Sequence, residues 1–156
     1  MTSRIGLAIT SFALVILSSA LMQAQVLRIG GVTPNVLLVS LIVIGFFSEN
    51  VIFYTLVVLV GALFGRATPI VLDPYALATT GIVLAAFIFG QKMVWPSLFG
   101  VGSIVSIATV LTYLLVSPQT LWGHPETWLL ELVYNIGIGL LMFEIMRLRF
   151  GNNIRR

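Results

Sequence analysis

Cysteine is absent and histidine occurs once, at His124, in a chain of 156 residues. The first absence removes disulfides, thiolate nucleophiles and thiolate metal ligands, and it leaves the redox compartment unreadable. The second leaves a lone imidazole. There is no second histidine to share a metal, no HExxH, and no serine with an imidazole partner near it in sequence, so His124 beside Pro125 and Glu126 reads as a surface-loop side chain. Charge is scarce as well: 8% of residues are Asp, Glu, Lys or Arg, against roughly 25% in ordinary soluble domains. An intramembrane aspartyl site needs two acids, and Asp73 has no partner in a recognisable motif. An enzyme is therefore the least supported class, no cofactor or metal is expected, and a channel lacks its run of pore-lining charges. The net charge of +3 does not point to nucleic acid either. Four of the eight cations, Arg147, Arg149, Arg155 and Arg156, fall in the last ten residues, as a juxtamembrane anchor does.

What is there is apolar. Hydrophobic residues make up 59% of the chain, and the mean hydropathy is +1.11. This composition reads as an integral membrane protein of one domain, residues 1–156, all-α, a polytopic helix bundle with almost nothing outside the bilayer. At roughly 20 residues per crossing the length allows at most about six spans. The first apolar run, Ile5 to Met22, follows Arg4 and stays helix-compatible to Leu27; a cleavable signal ending at Ser18-Ser19-Ala20 is the competing reading. Ile29-Gly-Gly-Val-Thr-Pro-Asn35 is a loop, because paired glycines before a proline interrupt a helix. The second run, Val36 to Phe47, is broken by Ser48-Glu49-Asn50 before a third begins at Val51. Read as one helix, Val36 to Gly65 would be about 45 Å long with Glu49 near the bilayer centre, at a cost of roughly 2.5–3.5 kcal/mol. Two short helices with Glu49 at the turn avoid both problems.

Tyr75 to Gly90 gives a fourth span and Met93 to Val116 a fifth, with Trp95 and Pro96 in its first turn. Ser117 to Glu126 is an external loop whose Trp122, with Trp128, marks the interface, and Thr127 to Met146 completes six. With an internal amino terminus, Arg4, Lys92 and the four terminal arginines are cytoplasmic, and Arg28 and Arg66 face out. Five spans with an external amino terminus give the same split, so the choice of six rests on helix length and Glu49.

The middle stretch, Val60 to Pro74, holds the first candidate residues. Gly61 and Gly65 stand one helical turn apart, a spacing that lets a neighbouring backbone approach closely. Pro69 and Pro74 forbid a continuous helix through the segment. Arg66 and Asp73 then either sit at the interface, the arginine snorkelling and the aspartate capping the next helix, or line something. On the sixth span Glu131 and Asn135 are four apart and share a face. Either that face looks into the bundle, or Glu131 is shallow enough to stay wet while Asn135 bonds a neighbouring helix. Gly100, Gly102, Gly137 and Gly139 give the fifth and sixth spans small faces of the kind that form packing seams. Glu144 precedes Arg147 by three residues, an ordinary helix pair.

Gly31-Val-Thr-Pro-Asn-Val-Leu-Leu-Val39, after a first span ending in glutamines and a glycine-bearing loop, resembles the G-x-x-P-D/N-hydrophobic stretch of the MreD family of bacterial rod-shape-determining proteins. Gly61-Ala-Leu-Phe-Gly65, the downstream Asp73, and Gly81 opening an alanine-rich run are similar to that family's glycine-rich stretch between spans three and four. The family commonly carries an aspartate about four residues after the first glycine, where this chain has Gly65. The resemblance implies a non-catalytic component of the elongation machinery in the bacterial inner membrane. Such a protein would bind membrane lipid and an MreC-like bitopic partner, and through that partner the MreB filament and the cell-wall synthases, with no nucleic acid. It also implies a fold like the substrate-binding subunits of vitamin transporters. That fold supplies the alternative function, a small-molecule-binding membrane subunit whose pocket would draw on Glu131, Asn135, Arg66, Asp73, Tyr75 and Trp122.

Overall fold

The computed structural model describes residues 2–65, 73–92 and 97–151. The expected roles of Arg66, Pro69, Trp95, Pro96, Arg155 and Arg156 lie outside those residues. Seven helices are found among them and no strand: α1 (Thr2–Gln23), α2 (Val36–Phe47), α3 (Val51–Phe64), α4 (Pro74–Lys92), α5 (Leu98–Val116), α6 (Pro118–Gly123) and α7 (Pro125–Phe150). By length and composition α1, α4, α5 and α7 can each cross a membrane. At 12 and 14 residues, α2 and α3 are about 18 and 21 Å long at 1.5 Å per residue, shorter than the ~30 Å hydrocarbon layer. The break at Ser48-Glu49-Asn50 falls where the sequence put it, with Glu49 exposed. Residues 117–126, expected as a loop, instead fold partly into α6, started by Pro118 at its first position, where a missing N–H costs nothing. The last helix runs beyond the expected span at both ends, opened by Pro125.

The starts of α2, α3, α4 and α5 are set by side-chain caps. Asn35 accepts from the Leu38 N–H at 3.1 Å, and Asn50 accepts from Ile52 and Phe53 at 2.9 and 3.1 Å. Asp73 accepts from Tyr75 N–H at 2.9 Å, with Pro74 between them, and Ser97 accepts from Gly100 at 3.1 Å. Each satisfies an amide that the first helical turn leaves without a partner. Between α1 and α2, Ile29 and Val32 exchange both backbone hydrogen bonds around Gly30 and Gly31. Their φ angles of +59° and +84° make a turn that only residues without a Cβ adopt freely.

Helix α2 is the axis of the bundle. All of it but Phe46 is buried, and it packs against α1, α3, α4, α5 and α7. Contact registers give the directions. Gly45 meets Tyr54, Gly61 meets Leu41 and Gly65 meets Leu37, so α2 and α3 form an antiparallel hairpin. Phe12 packs edge-on against Phe53 and Gln23 donates to the Phe64 carbonyl, so α1 runs parallel to α3. Asn35 meets Tyr75 while Ser48 meets Gln91, so α4 runs parallel to α2. Asn35 meets Asn135, and Phe46 and Phe47 meet Phe143, so α7 does too. Tyr113 with Glu131, Thr109 with Asn135 and Val105 against Gly139 make α5 antiparallel to α7. Thus α1, α3 and α5 point one way and α2, α4 and α7 the other. A Cβ on Gly6 would lie 3.7 Å from Phe150, so the first and last helices begin and finish at one end of the bundle. That end carries Ser48 and Gln91; the opposite end carries Asn35, Asp73 and Ser117.

Candidate functional site

A connected cluster of polar side chains lies in the interior at the Asn35 end, where four helices meet. Asn135 of α7 is completely buried. Its Oδ1 accepts from the Asn35 backbone N–H at 2.9 Å, and its Nδ2 donates to Thr109 Oγ1 of α5 at 3.1 Å and, more weakly, to Glu131 Oε1 at 3.5 Å. Asn35 Nδ2 in turn donates to the Tyr75 hydroxyl of α4 at 2.5 Å. Tyr113 of α5 donates its hydroxyl to Glu131 Oε2. One network therefore pins α2, α4, α5 and α7 at a single level. It can form because Thr109 and Tyr113 stand four apart on α5, as Glu131 and Asn135 do on α7, so two antiparallel helices present matching polar rungs.

Above the network lies a cavity of about 330 Å³ lined by Met22, Gln25, Thr33, Asn35, Tyr75, Thr112, Tyr113, Val116, Ser117 and Glu131. This is the lower end of the ~300–1,000 Å³ range typical of small-molecule pockets. Among the described residues Glu131 is its only charged lining group, and none of their cations lies within ion-pair distance of that carboxylate. The ion pairs found there are His124 with Glu126 at 3.5 Å and Arg147 with Glu144 at 2.8 Å, both at the surface. No group of three His, Cys, Asp or Glu residues among the described residues is placed to hold a metal.

Of the residues singled out in the sequence, Glu131 and Asn135 do face inward together: the first lines the cavity and the second is buried in the network beside it. Tyr75 lines it as well. Asp73 does not line it; it caps α4 and borders a much smaller space of about 20 Å³ between α2, α3 and α4. Gly61 and Gly65 face that same small space, against Leu41 and Leu37 of α2. Their close approach is to this chain's own helix. Arg66 lies outside the described residues. Trp122 is 80% exposed and takes no part in the cavity, which corrects its expected place in a pocket. It sits on α6, and that short helix carries its side chain outward. Gly139 meets Val105 and Val39 in the α5–α7 seam, and Gly102 faces Leu140, whereas Gly137 faces open space.

Asn35, Thr109, Thr112 and Tyr113 were not singled out as site residues in the sequence. The signal was present in part, as the repeat of a four-residue polar spacing on α5 and α7; Asn35 was marked only as the residue after Pro34 in the stretch that carries the family resemblance. Compared with family models, curated proteins and solved structures, the chain matches none.

Proposed function

We propose that the chain crosses the bacterial inner membrane six times, with both termini in the cytoplasm. In this reading it acts without turnover in the cell-elongation machinery, as an MreD-like protein that docks an MreC-like bitopic partner and, through it, an MreB-like filament and the cell-wall synthases. Two features support the topology. Six helices alternate in direction, α2 and α3 included, and the described cations are unequally shared: Arg4, Lys92, Arg147 and Arg149 stand at the Ser48 end against Arg28 at the other. An excess of Lys and Arg on one side is what the cytoplasmic face of a membrane protein carries.

The observation that carries the non-catalytic reading is the filled axis. Leu38, Val39 and Ile44 of α2 are wholly buried where a passage or a reaction cleft through the bundle would lie. The outward faces are apolar, with Ile9, Leu63, Phe89 and Leu141 among the exposed side chains, and these are surfaces for lipid or for a partner's span. The test is a mild-detergent pull-down of the tagged chain from native membranes. Recovery of a bitopic MreC-like protein with cell-wall synthases supports the reading. Recovery of an ATPase module and its membrane coupling subunit refutes it.

The cavity over Glu131 favours a second reading, a small-molecule-binding subunit of a vitamin-type transporter with the fold of such subunits. Under it, a small ligand would copurify in stoichiometric amount.

A further inference from the structure

We propose that the cavity at the Asn35 end binds a small monocation, whose ammonium group seats on the Glu131 carboxylate between Tyr75 and Tyr113. This rests on the small-molecule-binding reading and adds the charge and chemical class of the ligand. The first support is the hydrogen-bond inventory. Several of the polar hydrogens near the carboxylate are already committed: Tyr113 donates to Glu131, Asn35 Nδ2 to Tyr75, Asn135 Nδ2 to Thr109 and Glu131, and Thr112 to the Ala108 carbonyl at 2.9 Å. The Tyr75 hydroxyl hydrogen and the hydroxyl and amide groups of Thr33, Ser117 and Gln25 also line the space, each hydroxyl bringing one donor against two acceptor lone pairs. What remains towards the cavity is an excess of acceptor lone pairs, chiefly on the carboxylate and the two phenol oxygens. An ammonium group offers donors and no acceptor, and so complements that excess.

The second support is charge. Among the described residues the Asn35 end holds Asp73, Glu126 and Glu131 against Arg28 alone, while the Ser48 end holds four cations against Glu49 and Glu144. A polar cavity at the acidic end, walled by apolar helices, concentrates cations. A carboxylate within a helix bundle of this kind is costly to ionise without a counter-ion, and a bound cation supplies one. Size is the third support: about 330 Å³ equals the liquid volume of roughly eleven waters at ~30 Å³ each, enough for a compact amine and its shell but not for a large cofactor. The aromatic rings of Tyr75 and Tyr113 add faces to which a cation is attracted. An ammonium of this kind comes either from a free amine or from the headgroup of an aminophospholipid at the membrane surface.

The experiment uses the full chain in lipid-free mild detergent, titrated calorimetrically with isopentylammonium, its neutral isostere isopentanol and the anion isovalerate. In parallel, native mass spectrometry of protein extracted from membranes asks whether phosphatidylethanolamine is retained over phosphatidylglycerol. The expected result is saturable binding of the ammonium alone, weakened about tenfold or more in E131Q. The V116F variant, which places bulk in the cavity without touching the polar network, should lose it. Far-UV circular dichroism and gel filtration establish that each variant is folded. Binding of the ammonium without selective lipid retention assigns a free amine. Selective retention of phosphatidylethanolamine, lost in both variants, assigns a lipid headgroup. Equal affinity for isopentanol, or V116F-sensitive binding unchanged in E131Q, overturns the cation assignment and leaves small-molecule binding in the cavity standing. No saturable binding of any probe at millimolar concentration and no retained lipid overturn both.

Discussion

Replacing Asn135 with alanine removes two good hydrogen bonds at once, and their unequal consequences can be worked out in advance. Without Oδ1 the backbone N–H of Asn35, on a residue only 4% exposed, loses its 2.9 Å acceptor. This amide precedes the first turn of α2 and has no carbonyl of its own helix to turn to. An orphaned buried donor costs about 1–3 kcal/mol. The lost bond to Thr109 is an interhelical side-chain pair of the kind that averages about 0.6 kcal/mol in membrane bundles. Together they predict that N135A loses about 2–4 kcal/mol. T109V, which breaks the second bond and the Thr109 hydroxyl's own 2.9 Å bond to the Val105 carbonyl, should lose about 0.6 kcal/mol, since a hydroxyl bond back to the i−4 carbonyl of its own helix adds little. N135L restores volume but not the acceptor, so it should remain far less stable than T109V. Because the chain has no cysteine, a single thiol placed at wholly buried Val83 reports unfolding by its reactivity as the denaturing detergent fraction rises. In the double variant the part of the T109V loss that comes from Asn135 should vanish, since that partner has already gone. Finding N135A no less stable than T109V, or N135L as stable as the parent, would refute the claim that the Asn35 amide depends on Asn135.

Three further outcomes follow from other contacts. A methyl group on Gly45 would stand 3.0 Å from the Tyr54 hydroxyl and 3.1 Å from Cζ, while the ring is held by stacking on Phe87 at 4.3 Å and by its bond to the Leu41 carbonyl at 3.0 Å. G45A should therefore destabilise by about 1–3 kcal/mol and Y54F by about 1 kcal/mol, the pair together by less than the sum, as detergent unfolding will read. Gly31 has open space around it and a φ of +84°, so G31A should cost about 1–2 kcal/mol through backbone strain alone, and G31N distinctly less; equal effects would place the cost elsewhere. If six crossings are right, H124C in intact cells should react with a membrane-impermeant maleimide and E49C should not; labelling of both from outside would sink the topology.

The existence of α1, α2, α3, α4, α5 and α7, and the break at Ser48-Glu49-Asn50, could be read from runs of apolar residues and the proline and glycine punctuation between them. Hydropathy settles little more than that. It did not announce α6, because Pro118 to Gly123 is short and mixed, a composition equally suited to a turn. Nor did it say that α2 would sit on the axis while α3, just as apolar, would expose Ile52, Leu56 and Leu63. Glu131 and Asn135 were legible as a shared face from their spacing. Which helix they met was not, since that depends on register between segments far apart in the chain: Asn35 and Asn135 are separated by 100 residues. The seam at Gly61 and Gly65 was legible as a close approach, but a pair of glycines cannot specify whether the approaching backbone belongs to the same chain.

The position of α2 shows why so few polar residues have so much influence here. In the six-span arrangement proposed above, the hydrophobic effect does not distinguish a leucine facing lipid from one facing another helix, so burial of α2 would gain nothing from leaving water a second time. Its apolar length could slide along its neighbours with modest changes in packing. Polar pins remove that freedom. Near its start Asn35 is tied to Tyr75 and Asn135; part-way along, Ser40 is tied to Ser18 at 2.7 Å. Beyond Gly45 the Tyr54 ring reaches back to Leu41, and at the far end the Ser48 carbonyl accepts from Gln91 at 2.7 Å. A slip of one residue, 1.5 Å, would break several of these together. The register of the buried helix is thus set by bonds at its two ends and middle, each modest alone. The network that fixes its first turn is the same one that holds Glu131 at the cavity, so the shape of the site and the register of the bundle's axis depend on one another.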